Sequence, residues 1–216
     1  MLGSASIQLL IKKDNRLKRV VFSGDLGPKG ALILRDFEPF RLADVVFLES
    51  TYGDHDHRPF TETVEEFVKI VQKTVAERGK ILVPTFAVGR AQLLTSLLAW
   101  MVRKKKISPF PIFLDSPMAI EALRIYAAHR ELFDDQATKF LAERPLRDDL
   151  KSMKLCATAN ESMQINDQAG PCFIMAGAGM CNAGRILHHL KQNLSRLSQL
   201  GCIWLCKWLK IKSGVA

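Results

Sequence analysis

Apolar positions along this chain change period several times, and the changes mark out strands and helices in alternation. Residues 6–11 and 19–23 read as two strands of a hairpin around the polar turn Lys13-Asp14-Asn15. Residues 43–48 are nearly all apolar, the pattern of a strand buried on both faces. Over 63–78, apolar side chains recur at 64, 67, 68, 71 and 75, a helical stripe. Thr63 and Glu66 have the spacing of a capping box, and Gly79 stops the helix. A strand follows at 80–84, an amphipathic helix at 89–103, a strand at 111–114 and a helix at 117–129. A further strand at 173–176 leads through a glycine-rich loop into a helix at 184–193. Strand and helix alternating over short links predict an α/β fold with a mostly parallel, Rossmann-like sheet.

Composition narrows the class. Of 216 residues, 48% are hydrophobic and 25% charged, as in a soluble globular protein of one or two domains. No run of 18 or more apolar residues occurs, and the N-terminus lacks the layout of a secretory signal, so the expected location is cytoplasmic. Five cysteines, odd in number and irregularly spaced, favour reduced thiols over a disulfide framework, and Cys202-x-x-x-Cys206 receives no metal role. The formal charge is +9, and Arg103-Lys104-Lys105-Lys106 is its densest run. Such an excess attracts polyanions without sequence preference, although a run at a helix C-terminus also serves the helix dipole.

Candidate chemistry begins at two strand ends. Asp25 follows the apolar run ending in Phe22-Ser23-Gly24, and Glu49 follows Val45-Val46-Phe47-Leu48. Side chains at strand ends leave the packed sheet while a rigid backbone holds them, which suits carboxylates that bind a cation or move a proton. Either acid alone also reads as a turn residue. In Asp54-His55-Asp56-His57, an extended backbone would project both imidazoles to one side, whereas the flanking Gly53 and Arg58-Pro59 read as a polar loop. His188 and His189 read as surface residues near a helix C-terminus.

Gly177-Ala178-Gly179-Met180-Cys181-Asn182-Ala183-Gly184 lies between a strand and a helix, but its spacing is not that of a dinucleotide fingerprint. A junction of this kind can still present backbone N–H groups to an anion. Arg90 and Arg185 stand at two such junctions, as bidentate phosphate partners or as ordinary helix-start arginines.

Five blocks in order carry a resemblance. They are Ser23-Gly24-Asp25-Leu26-Gly27, Leu48-Glu49-Ser50-Thr51-Tyr52-Gly53, residues 84–92 (PTFAVGRAQ), residues 114–119 (LDSPMA) and residues 177–187 (GAGMCNAGRIL). Together they resemble the metallo-β-lactamase fold in its β-CASP branch of nucleic-acid-processing nucleases, nearest the prokaryotic type, over about residues 1–196. The resemblance implies the C-terminal part of a metallo-β-lactamase lobe at 1–60, an incomplete β-CASP domain at 61–196 and a divergent tail at 197–216. It implies zinc-dependent hydrolysis of phosphodiester bonds in RNA, with RNA as partner, no membrane association and a homodimer allowed. Asp25 would be a zinc ligand and Glu49 a residue that orients a histidine or assists proton transfer.

The family's early histidine motif and its late histidines have no counterpart among the five histidines here. They would fall before Met1 and beyond Ser195, so the chain reads as a fragment lacking most zinc ligands and inactive alone. The tail holds Trp204, Trp208, Cys202 and Cys206 in an abrupt shift of composition. It reads as the product of a changed reading frame, or as a terminal amphipathic helix. A different class of function also fits the residues: a Rossmann-like module that binds nucleic acid or a nucleotide without cutting it.

Overall fold

Two sheets of opposite construction organise the chain, each in its own unit. The computed structural model describes residues 1–51, 53, 54, 56 and 58–193, with the backbone of 200–202. Contacts divide it into Met1–Asp56 with His129–Phe140, and His57–Ala128 with Leu141–Ala216. The tail's side chains, Trp204 and Trp208 included, lie outside the described residues, as do His55 and His57.

The first unit holds a three-stranded sheet in the order β1 (Ile7–Lys13), β2 (Arg16–Phe22), β3 (Val45–Phe47). β1 and β2 form the expected hairpin, with Lys13 opposite Arg16. The two loop residues, Asp14 and Asn15, both have positive φ, 48° and 58°, the backbone of a type I′ turn that Asp and Asn tolerate. β3 then adds parallel to β2. The expectation that this strand is buried fails: Val45, Val46 and Phe47 are 45%, 54% and 56% exposed. β3 is an edge strand, and among the described residues its pairing is with β2 alone. Phe22 and Phe47, opposite one another in the ladder, stack with centroids 4.8 Å apart. Residues 129–140 join this unit through a bridge between Leu34 and Phe133 and a hydrogen bond from the Asp134 N–H to Ile33 O at 2.9 Å.

The second unit is a parallel α/β domain, as the alternating pattern predicts. Its sheet runs β6 (Met153–Leu155), β5 (Ile112–Asp115), β7 (Cys172–Ala176), β4 (Lys80–Pro84), β8 (Leu200–Cys202), with every pairing parallel. All residues of β4, β5 and β7 are buried. α1 (Phe60–Ala76) leads into β4, and α2 (Arg90–Arg103), α3 (Pro117–Ala128) and α7 (Arg185–Asn193) lie in the crossovers around them. Along the chain between α3 and β7 lie three short helices, α4 (Asp135–Glu143), most of which belongs to the first unit, α5 (Leu146–Asp149) and α6 (Ala159–Gln164), and the edge strand β6. The apolar periodicity of the sequence gives no sign of these. α1 buries Phe67 and Val71, and the Phe67 ring meets Phe173 of β7 edge-on at 6.1 Å.

Helix ends depart from the sequence reading. Thr63 does not cap α1: the helix starts three residues earlier after Pro59, the Thr63 amide already donates to Pro59 O, and Glu66 accepts from Arg58 at 2.6 Å. Nor is Gly79 the left-handed residue that stops it. Arg78 takes that conformation (φ 56°), with Arg78 N–H to Val75 O and Gly79 N–H to Thr74 O, a Schellman closure. α2 closes the same way, with Lys105 left-handed (φ 53°), Lys105 N–H to Val102 O and Lys106 N–H to Met101 O. The dense cationic run therefore forms a helix C-terminus, where its charge favours the dipole.

Candidate functional site

The two strand-end acids share one edge of the first sheet. β2 and β3 are parallel neighbours with Phe22 opposite Phe47, so the residues that follow, Asp25 and Glu49, leave the sheet at the same end. Ser23 ties these ends together. Its amide donates to Phe47 O at 2.9 Å, and its hydroxyl accepts from the Glu49 amide at 3.0 Å. Asp25 is exposed, and its carbonyl accepts from the Ser4 hydroxyl at 2.7 Å. Gly24 has φ 57° and is pressed so close to Ala5 that a Cβ would sit 2.3 Å from Ala5 O, so this turn admits only glycine.

The Glu49 carboxylate accepts from the Thr51 amide at 2.9 Å. That bond, supported by the Leu26 amide, holds its pKa below the usual glutamate value. Glu49 is therefore an anion near neutral pH and better suited to orienting a donor than to taking a proton.

A second constellation occupies the carboxyl edge of the parallel sheet. Asp115, the last residue of β5, is fully buried. It accepts from Ser162 Oγ at 2.6 Å, Arg185 Nη1 at 2.7 Å and His189 Nε2 at 2.6 Å. Burial pushes its pKa up, but the hydrogen bonds from His189, Ser162 and Arg185 together outweigh burial and hold it below the usual aspartate value. His189 is thus no surface residue; it is 1% exposed, one turn into α7 on the face that meets β5. Its Nδ1 is buried and has no hydrogen-bond partner among the described residues. The signal that could have found this pair is helical spacing: residues 185 and 189 share one face of α7, and Asp115 ends a buried strand.

Arg185 is committed internally. Beyond Asp115, its guanidinium donates to Cys156 O at 2.9 Å and Ala157 O at 2.8 Å. The loop before it is closed on itself: Ala178 N–H donates to Ala183 O, Ile186 N–H to Gly177 O and Leu187 N–H to Gly184 O. Gly184 (φ 79°) has no room for a side chain, since a Cβ would lie 2.5 Å from Gly177 O. Two amides at the start of α7 thus serve the loop rather than an incoming anion. Arg90 begins α2 behind a comparable knot. Gln92 accepts from the Gly89 amide at 2.6 Å and donates to Ala87 O at 3.0 Å, and Gly89 takes φ 84°.

Among the described residues, no group of three or more His, Cys, Asp or Glu side chains is arranged to hold a metal ion. The donors present do not fit a zinc centre, which needs three or four ligands. No described helix is long and apolar enough to cross a membrane.

Comparison with known sequences bears on this arrangement. The Beta-Casp domain matches residues 91–200, about half of the chain. Ribonuclease TTHA0252 of Thermus thermophilus is 41% identical over 180 residues, which is 82% of this chain and 41% of that protein. An RNase J-like protein of Methanocaldococcus jannaschii is 29% identical over 195 residues, 88% of this chain and 43% of its own length. Endoribonuclease ysh1 of Schizosaccharomyces pombe is 30% identical over 169 residues, 76% of this chain and 21% of its own. The chain thus spans less than half the length of these curated relatives.

Proposed function

We propose, from the premise that this chain belongs to the Beta-Casp family, that it serves in RNA processing as the RNA-engaging part of a phosphodiester-hydrolysing enzyme. One observation carries the proposal: the Beta-Casp match over 91–200, in a chain 41% identical to a Thermus ribonuclease. The +9 charge favours a polyanionic substrate.

Zinc in such an enzyme supplies a hydroxide at neutral pH. The donors among the described residues do not fit it. Asp25 offers an exposed carboxylate on a glycine-locked turn, and Glu49 an ionised one that orients a neighbouring donor. Arg185 and Asp115 hold α7 against β5, keeping the loop at the sheet edge in one shape. The absence of a metal-binding group among the described residues favours the second reading for the isolated chain, that it binds RNA without cutting it.

The test is direct. The 216-residue chain, with added zinc or with chelator, is given a labelled single-stranded RNA beside an Asp25→Ala control. The expected outcome is binding that weakens steeply with salt, and no cleavage. Zinc-dependent cleavage abolished by Asp25→Ala would show a complete metal site and overturn the non-cutting reading. No binding at low salt would sink the RNA reading itself. Light scattering on the same preparation decides between monomer and homodimer.

A further inference from the structure

Three exposed apolar side chains, two in loops and one in the first turn of α3, stand just beyond strand ends of the parallel sheet. Met118, Met180 and Phe86 follow the carboxyl ends of β5, β7 and β4, which are neighbours in that order. They are exposed by 68%, 59% and 44%. Strands are spaced about 4.8 Å apart, so the three strand ends that carry this apolar ledge span roughly 10 Å of the sheet edge.

The ledge sits at the point where the chain changes direction. From β4 the chain crosses to β5, past β7; from β7 it crosses to β8, past β4. With right-handed crossovers, these opposite directions put α2 and α7 on opposite faces. A switch of this kind marks where open α/β sheets take their ligands. Phe86 of the loop after β4 and Gly179 of the loop after β7 meet there. A Cβ on Gly179 would lie 2.8 Å and 2.9 Å from two ring carbons of Phe86, so the ring is pressed against the glycine. The residue is nevertheless 44% exposed. A ring held on one side and partly open to solvent fits a second flat ring.

The segments 85–90, 116–120 and 177–188 at this edge contain Arg90 and Arg185 and no acidic residue. Two carboxylates stand beside them: Asp115, buried and paired with Arg185, and Glu161 beyond β6, which accepts from the Ala157 and Thr158 amides. An exposed aromatic ring in a chain of formal charge +9 matches a nucleobase on a phosphate backbone.

We infer that Phe86 is a stacking platform for a base of single-stranded RNA, with the Met180 and Met118 side chains supporting the next base along the sheet edge. The inference rests on the RNA reading above and adds to it a base-contacting residue outside the strand-end acids. The ring acts by stacking, so contact is tolerant of base identity and requires an unpaired base.

The test uses the full chain, a ten-nucleotide single-stranded RNA with one 2-aminopurine, and an abasic ribose-phosphate oligomer of equal length. Phe86→Leu keeps the apolar bulk and removes the π face; Phe86→Trp keeps a π face. For RNA, Phe86→Leu is expected to bind roughly tenfold more weakly and to lose most of the 2-aminopurine quenching, while Phe86→Trp retains both. The abasic oligomer should bind all three proteins alike. Equal RNA affinity for wild type and Phe86→Leu overturns the platform while leaving the RNA reading intact. So does a parallel loss of abasic binding, or capture of an apolar peptide in place of RNA. Absence of RNA binding by the wild type removes the underlying reading itself.

Discussion

The two sheets are built from similar residues and end in opposite states. β4, β5 and β7 read KILVP, IFLD and CFIMA and are buried throughout. β3 reads VVF with equal apolar character and is exposed throughout, and Ile7, Leu9, Leu10 and Ile11 of β1 are exposed as well. Connection explains the difference. In the second sheet each crossover delivers a helix that covers the strands. In the first, neither the two-residue turn between β1 and β2 nor the connection from β2 to its parallel neighbour β3 contains a helix. Apolar character therefore states that a strand tends to be covered, and topology decides whether its own unit does so.

The comparison predicts where substitutions hurt. The largest effect belongs to Asp115→Ala, which leaves Arg185 and His189 facing a void where a buried carboxylate had been. Breaking a buried charge network from one side costs about 3–5 kcal/mol. Urea unfolding followed by circular dichroism should show the midpoint fall with little change in slope. Asp25→Ala, at the exposed edge of the first sheet, should leave the midpoint where it was. Equal effects would mean that the Asp115 network is not what fixes α7.

Next comes the core itself. Phe173 is fully buried and meets Phe67 edge-on, so Phe173→Ala should cost about 3–5 kcal/mol. Phe47→Ala loses one exposed stacked pair, worth about 0.5–1.5 kcal/mol. A Phe47→Ala cost as large as that of Phe173→Ala would show that β3 is covered in solution, and the contrast between the sheets would fall.

Periodicity exposed the regular crossovers and little else. The hairpin, the strands at 80–84, 112–115 and 172–176 and the helices between them stood out because apolar spacing repeats over whole elements. β6 and the helices between 135 and 164 did not, since three to nine residues are too few for a period to show. Asp25 and Glu49 were legible as strand-end acids because the apolar run before each is unbroken. His189 was misread because an imidazole near a helix end looks the same whether it meets water or a buried aspartate 74 residues away in sequence. Arg185 was visible, yet its commitment to Asp115 and to two carbonyls depends on long-range packing that no local pattern encodes. Phe86 lay inside a recognised block, but its exposure depends on Gly179 arriving beneath it from another strand end.

The smallest expected effect separates the units by thiol chemistry. Cys156, Cys172 and Cys181 all lie in the second unit, and the sequence places no cysteine within 1–56 or 129–140. Burial pushes the Cys156 and Cys172 thiols up to about 11. In the unfolded chain they ionise near 9, so between about pH 9 and 11 the unfolded state releases protons that the folded state keeps. Their contribution is fully present below pH 9 and is lost as pH rises toward 11. Thiolates, not thiols, react with iodoacetamide. At pH 8 mass spectrometry should find Cys181, only half-buried in its loop, labelled well before Cys156 and Cys172. Raising the pH to 10.5 should bring the two buried thiols into reaction together with loosening of the second unit, in a single phase. A Cys156→Ala, Cys172→Ala pair should flatten that alkaline loss. Rapid labelling of Cys172 at pH 8 would show that β7 opens readily to solvent, and the second sheet would then be no better sealed than the first.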